Sequence, residues 1–375
     1  MKQCPVCGCE ETIGTVERAR LPVVQNRVYP SRAEALNAPS AAFRLNTCVR
    51  CGFSFNGLFD SGLVVYDEYY DNDVPSKVFR DYYEQLASML IERFGLDSGT
   101  VYDIGCGKGD FLRTLCRLAP GIHGVGIDPS CTPVSDRNFT LVRDTYQAGK
   151  FAADTKLGLL RHVLEHIDQP VGFAAGIAEA LNGAPFFVEV PDAEWIFDNG
   201  VFWDFCYEHC NYFTPKSLAQ ALRASGFDVE AQQLSFGGQY QWAICRPAQN
   251  PQKGSRSDGL DDVEKATRYQ RKEAELIQTV RTQVAKAENP VLWGMATKGV
   301  IFSNLLGPDA IAGGVDINTK KQGRFVPGSG VEVHPPEWLK HVGDTPTVFV
   351  MNGNYADEIS RTISSLGIRS RLIVP

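Results

Sequence analysis

Three clusters of residues in this sequence are able to do chemistry. The first is Asp103-Ile104-Gly105-Cys106-Gly107-Lys108-Gly109, with glycines spaced Gly-x-Gly-x-Gly behind an aspartate. Glycine lets a backbone come close to a ligand, and the free N–H groups at a helix start welcome a carboxylate as readily as a phosphate. Asp128 follows 19 residues after Gly109. A carboxylate at that point can accept hydrogen bonds from two ribose hydroxyls. A purely structural glycine turn is the competing explanation. The second cluster is Cys4-Pro5-Val6-Cys7-Gly8 with Cys48-Val49-Arg50-Cys51-Gly52. The thiolates of Cys4, Cys7, Cys48 and Cys51 can surround Zn²⁺ tetrahedrally, and a closed four-sulfur shell is structural. Such a metal would supply folding energy to a small lobe with little core of its own. Chance cysteines or a redox pair compete with this. The gap between the pairs exceeds that of a short zinc ribbon and implies an inserted loop, with Cys9 left over. The third cluster is Cys206-Tyr207-Glu208-His209-Cys210-Asn211-Tyr212-Phe213, which gathers a carboxylate, an imidazole and two phenols. A histidine can act as a general base near neutral pH, and a neighbouring carboxylate can orient it and raise its basicity. A surface turn with a satisfied histidine is the bland alternative.

These clusters need elements to position them. Val101-Tyr102-Asp103-Ile104 reads as a buried strand running into the glycine turn, and Asp110 to Cys116 as the helix after it. Gly124–Asp128, Leu157–Leu160 and Pro185–Val190 read as further short apolar strands. Strands alternating with helices imply a mostly parallel, doubly wound sheet. A helix is expected from Lys77 to Phe94, with Leu86, Met89, Leu90 and Phe94 on one face. Before it lies a connector rich in tyrosine: Tyr66, Tyr69 and Tyr70, with Tyr82 and Tyr83 further on. Gln249–Asp262 is rich in Pro, Lys, Ser, Gly and Asp and reads as a linker or exposed loop. A long charged helix over Glu264–Glu288 follows, then strands at Val291–Gly294, Ile311–Asp316 and Thr347–Met351. This second α/β unit imitates the first: strand, glycine turn, helix, and a strand ending in aspartate.

The glycine spacing separates two cofactor classes. A dinucleotide fingerprint reads Gly-x-Gly-x-x-Gly. The run Asp103 to Gly109 instead resembles the first motif of class I S-adenosylmethionine (SAM)-dependent methyltransferases. His162-Val163-Leu164-Glu165-His166 is similar to that family's segment after its fourth strand. The resemblance implies SAM as cofactor, held by Asp103, Gly105, Gly107, Gly109, Asp128 and His162. A four-cysteine lobe, such a domain, and Glu-His-x-x-Tyr-Phe in that order resemble the sugar C-methyltransferases. Gly294–Gly299, Lys321–Gly328 and Asn354–Ile359 look like that family's C-terminal domain. The fold implied is α/β, with a class I (Rossmann-like) methyltransferase core, a small N-terminal zinc lobe and a second Rossmann-like domain. The expected division is residues 1–60, 61–248 and 263–375.

That resemblance implies methylation of a carbon next to a ketone on a nucleotide-activated deoxysugar. A carbon must lose its proton before it can attack a methyl sulfonium, so a base and a partner for the enolate are required. By resemblance His209 is the base, supported by Glu208. His166 and a connector tyrosine, Tyr70, hold the keto oxygen or shuttle protons. The family often shows Tyr-His ahead of Glu-His, where this chain has Cys206-Tyr207. Tyr207 is then a substitute phenol, with Tyr212 beside it. Lys298, in a glycine-rich turn, and Arg324 are candidates for a diphosphate. An O-methyltransferase acting on a sugar hydroxyl or another small metabolite would use the same residues. A non-catalytic SAM-binding scaffold is a further reading, against which the intact Asp103, Asp128, Glu208 and His209 speak.

Composition narrows the class further. The chain has 375 residues, a net charge of −7 and 11 cysteines. There is no basic stripe of the kind nucleic-acid binders carry, and no apolar run of about 18 residues to span a membrane. The first residues lack an apolar signal core. An odd cysteine count in a long chain suggests reduced thiols. A cytoplasmic enzyme acting on a small molecule, with neither nucleic acid nor membrane as partner, is the expectation.

Overall fold

The apolar runs after residue 98 fold into one twisted sheet. Its order from edge to edge is Phe227–Ser235, Tyr240–Pro247, Phe186–Pro191, Thr155–Arg161, Gly99–Ile104, Ile122–Ile127, Phe139–Val142 and Val134–Ser135. The five strands from Phe186–Pro191 to Phe139–Val142 run parallel, and the remaining strands pair antiparallel at the two margins. Parallel strands are covered on both faces and therefore read as continuous apolar runs. Leu86, Leu90, Phe111 and Leu112, from helices Lys77–Phe94 and Asp110–Leu118, pack on Val101, Leu157 and Leu159. Ile177, Leu181, Leu218 and Leu222 pack on Ile104, Leu160 and Val188 from the other side. Helix Lys77–Phe94 keeps its expected bounds. Ser76 caps its start through the Phe79 N–H, and Gly95 ends it with φ +57°.

The structure, a computed structural model, describes residues 2–147, 149, 151–249 and 259–375. Most of the linker expected over Gln249–Asp262 lies outside the described residues. Helix Leu260–Lys286 then leads into a second sheet of order Arg324–Phe325, Glu332–His334, Gly313–Val315, Pro290–Trp293, Thr347–Val350 and Arg371–Ile373. It is parallel except for Arg324–Phe325. Among the described residues no helix is long and apolar enough to cross a membrane.

The N-terminal lobe is less self-contained than the cysteine spacing suggests. Its hairpin Thr12–Pro22/Ser40–Cys48 and strand Ser54–Asn56 take a fourth strand, Asn211–Tyr212, from the middle of the chain. Val16, Leu21, Phe43 and Leu45 share one core with Phe202, Phe205, Tyr212 and the long helix's Ala266 and Tyr269. Buried apolar area therefore holds this lobe in place. The borrowed strand also fixes the segment carrying Glu208 and His209, because Asn211 pairs with Phe55 and Tyr212 with Ser54.

Candidate active site

The glycine turn, the segment around His209 and the second α/β unit face a shared cavity of about 970 Å³. At the cofactor end, Asp103 closes strand Gly99–Ile104. Burial, opposed by Arg161, raises its pKa to about 7. Gly105, Gly107 and Gly109 all have positive φ, which L side chains rarely adopt. A Cβ on Gly105 would run into Val163, and one on Gly109 would lie 2.8 Å from Leu141. Around Gly107 the nearest atom to such a Cβ is 3.8 Å away, so that stretch of backbone stays open to a ligand. The Gly107 N–H donates to Asp128 Oδ2 (2.9 Å), and Ser130 donates to Oδ1 (2.7 Å). Asp128 is thereby fixed with lone pairs left for ribose hydroxyls. Asp103, Gly105, Gly107 and Asp128 line the cavity, whereas Gly109 starts the next helix outside it.

His162 lines the same end with φ +54°, a strained conformation for a residue other than glycine. Its ring lies 3.6 Å from Glu165 and 3.4 Å from Glu189. Burial opposes its charge, but those two carboxylates outweigh burial and hold its pKa up at about 9. Glu189 also accepts two hydrogen bonds from the buried Arg161, at 2.9 and 2.7 Å, and another from Tyr82. Burial would push the Glu189 carboxyl up, yet Arg161, His162 and Tyr82 hold it at about 2.

The chemical end departs from the expected pairing. Glu208 and His209 are adjacent in sequence but face different neighbours. The Glu208 carboxylate, 1% exposed, accepts from the Tyr70 hydroxyl (3.1 Å), the Tyr66 hydroxyl (3.3 Å) and the Gln25 N–H (3.2 Å). Burial raises its pKa, while His166 and the two tyrosines pull the other way. Burial and the Glu208 charge keep both phenols far above their ordinary range. Tyr66 also meets His166 Nδ1 at 2.8 Å, so Glu208 supports His166 through Tyr66 and does not contact His209. The His209 ring lies edge-on to His166 with centroids 4.8 Å apart. Burial first, then the charges of His166, His162 and Lys298, push its pKa well below the ordinary histidine value, so the ring is neutral at pH 7.

Other expected residues lie elsewhere. The Tyr207 ring packs on Phe59, and its hydroxyl oxygen accepts the Asp60 N–H at 2.9 Å, inside the N-terminal lobe. Tyr212 is buried with its hydroxyl bonded to the Cys206 backbone at both N–H and C=O. Neither phenol lines the cavity. Arg324 is exposed on a two-residue edge strand and does not line the cavity. Lys298 does line it, bonded to Asp204, with its ammonium 5.5 Å from the Trp195 ring. Lys321, 2% exposed, reaches the cavity where Arg324 was expected to. Nothing in the sequence separates it from its exposed neighbour Lys320. Tyr66 was visible only as one of several connector tyrosines. The second unit repeats the cofactor turn in detail: Asp316 Oδ2 accepts the Met295 N–H at 2.9 Å, as Asp128 accepts that of Gly107.

In the lobe, the Sγ atoms of Cys4, Cys7, Cys48 and Cys51 lie within 4.8 Å of one another, with Cys4–Cys51 at 3.6 Å and Cys7–Cys48 at 3.5 Å. Tetrahedral Zn–S bonds of about 2.3 Å put sulfurs at such separations, so the donor set fits Zn²⁺. Cys9 Sγ instead points to the Glu11 carbonyl, 3.8 Å away.

Comparison with known proteins adds to this geometry. Solved structures similar to part of the chain include 1,6-didemethyltoxoflavin-N1-methyltransferase of Burkholderia thailandensis (18% identity over 46% of this chain and 81% of that one, TM-score 0.35). Another is magnesium protoporphyrin IX methyltransferase of Synechocystis (14% identity, 48% and 91%, TM-score 0.36). No curated protein matches the chain. Residues 78–232 match the family model for a methyltransferase domain, and residues 254–375 the model for a C-methyltransferase C-terminal domain. With both matches in order on this fold, the chain is an enzyme, a SAM-dependent methyltransferase that carries a C-methyltransferase C-terminal domain.

Proposed function

We propose that this enzyme methylates a carbon next to a ketone on a nucleotide-linked keto sugar, with His209 as the base. The observation that carries the reading is that a neutral, half-buried imidazole, His166 and the phenols of Tyr66 and Tyr70 face the cofactor turn across one cavity, whose far wall is the C-methyltransferase domain. His209 has no hydrogen-bond partner among the described residues, so a ring lone pair is free to take the carbon-bound proton. Tyr70 and His166 line the cavity beside His209, placed to shuttle protons or hold the oxygen that becomes an enolate once the Tyr70 hydroxyl turns from the Glu208 carboxylate. SAM, when bound, supplies an electrophilic methyl on a positively charged sulfur, and positioning dominates such an in-line transfer. The proton ends on His209, the C–CH₃ bond forms, and the S–CH₃ electron pair stays with sulfur as S-adenosylhomocysteine. The Lys298 ammonium and the helix start at Thr297 suit a diphosphate at the cavity's far end. Zn²⁺ in the lobe would be structural, holding together the segment that pairs with Asn211–Tyr212.

The test is turnover of a panel of nucleotide keto sugars in D₂O. Carbon methylation gives a new C–CH₃ signal, with deuterium entering the adjacent C–H and His209→Ala abolishing both. A methoxy signal with no exchange overturns the reading in favour of O-methylation.

A further inference from the structure

The base belongs to a set of donor atoms that can serve a second purpose. Glu165 and His166 occupy one tight turn, Leu164–His166, and the Asn211 side chain ties that turn to the catalytic segment through the Leu164 and Ile167 carbonyls (2.9 and 2.6 Å). One ligand atom each from Glu165, His166 and His209 lies within 4.8 Å of the others. Each has a free pair of electrons. His166 Nδ1 lies 3.0 Å from the Glu208 backbone carbonyl, which can only accept, so in the neutral ring Nδ1 carries the proton and Nε2 the lone pair. The Tyr66 oxygen, 2.8 Å from the same nitrogen, holds that tautomer, its own proton going to the Glu208 carboxylate. An imidazole whose far N–H is fixed by a carbonyl is the arrangement that metal-bound histidines adopt. Glu165 is 1% exposed and its Oε2 has no hydrogen-bond partner, a costly state for a buried carboxylate. His209 has no hydrogen-bond partner among the described residues.

We propose that Glu165, His166 and His209 form a second divalent-metal site, and that filling it switches off methyl transfer because His209 cannot be ligand and base at once. Two imidazoles and one carboxylate suit Zn²⁺, Co²⁺, Ni²⁺ or Fe²⁺ over Mg²⁺. Three protein ligands on a cavity wall leave open positions for water, unlike the closed four-sulfur set of the lobe. The inhibitory half rests on His209 being the base; the site itself does not.

Purified enzyme with its lobe metal in place is titrated with Co²⁺, bound cobalt per chain is measured, and the visible spectrum is recorded. One further Co²⁺ per chain is expected, with the weak bands of nitrogen and oxygen ligands and without the intense thiolate bands of a cysteine site. Glu165→Gln and, separately, His209→Gln lose this equivalent while keeping the lobe metal and S-adenosylhomocysteine binding, which shows they are folded. Bound cobalt lowers the methyl-transfer rate by about 100-fold or more, since a positioned base contributes roughly 10²–10⁴. Glu165→Gln keeps its own metal-free rate in the same cobalt concentration. No uptake beyond the lobe, or equal uptake by wild type and both variants, overturns the site. Uptake with an unchanged or raised rate overturns the exclusion of metal and base. If no substrate turns over at all, the proposed reaction fails while cobalt uptake still decides the site.

Discussion

Glu189→Gln is the sharpest test of how this site is built. Glu189 is fully buried in the middle of strand Phe186–Pro191, and its side chain is nearly isosteric with glutamine. It accepts two hydrogen bonds from Arg161, whose guanidinium is also buried and sits on the rings of Tyr83 and Phe111 at 4.7 and 4.1 Å. It also faces His162 and Tyr82. With glutamine in place, shape and packing survive but the buried Arg161 and the half-buried His162 lose a countercharge. Removing one partner of a buried ion pair costs about 3–5 kcal/mol, because the other charge is left uncompensated. Measured against a typical total of about 5–15 kcal/mol, that is a large fraction. At about 2–4 °C per kcal/mol for a domain of this size, the melting temperature should fall by roughly 6–20 °C. The assay is thermal denaturation, with urea denaturation giving the free energy. The double variant Arg161→Met/Glu189→Gln removes both charges and should be less destabilised than the sum of its singles. A loss below about 1 kcal/mol for Glu189→Gln, or strict additivity in the double, would refute the claim that Arg161 depends on this carboxylate. The same variant should also weaken S-adenosylhomocysteine binding, since Arg161 and His162 both line the cofactor end.

Two further outcomes follow from the geometry. Asp128→Asn keeps the turn's hydrogen bond from Gly107 but loses the charge; hydrogen bonds to charged groups contribute about 1.5–3 kcal/mol, so the dissociation constant for S-adenosylhomocysteine should rise roughly 10- to 150-fold by calorimetric titration, and an unchanged value would remove Asp128 from the ribose site. Cys48→Ser should eliminate the zinc that metal analysis is expected to find in the lobe and loosen strand Asn211–Tyr212, read as faster amide exchange at residues 205–213; folded, active wild-type protein free of zinc would refute the structural metal.

What could be read from sequence was whatever repeats with a short period or a fixed spacing. The strand into the glycine turn, the bounds of Lys77–Phe94 and the cysteine quartet follow from local pattern, and the structure places each of them as local physics requires. Side-chain direction in irregular backbone was not readable. Glu208 and His209 look like a pair because they are neighbours in sequence, but the backbone between the Phe202–Asp204 turn and the strand at Asn211 sends the carboxylate to Tyr66 and Tyr70 and the imidazole to His166. Tyr207 looked like a substitute phenol for the same reason, yet its ring fills a hole beside Phe59.

The connector between the lobe and helix Lys77–Phe94 shows why such directions need the whole molecule. It has no apolar period, so pattern assigns it nothing beyond a count of tyrosines. Its conformation is imposed from three sides. The Asp71 N–H donates to the Asn26 carbonyl in the N-terminal lobe. The Asp71 carboxylate accepts from Asn318 and Lys320 in the C-terminal domain, both at 2.9 Å. Glu358, also from the C-terminal domain, accepts from the Ser76 hydroxyl (2.5 Å) and the Lys77 N–H (3.0 Å), capping the helix start with a carboxylate where the dipole favours one. Between these anchors Tyr66 and Tyr70 are turned onto Glu208, and Asn72 comes within 3.8 Å of where a Gly107 Cβ would stand. One irregular strap thus sets the phenols at the chemical end and borders the cofactor turn at the other, and its anchors Asn26, Glu208, Asn318, Lys320 and Glu358 all lie far from it in the chain.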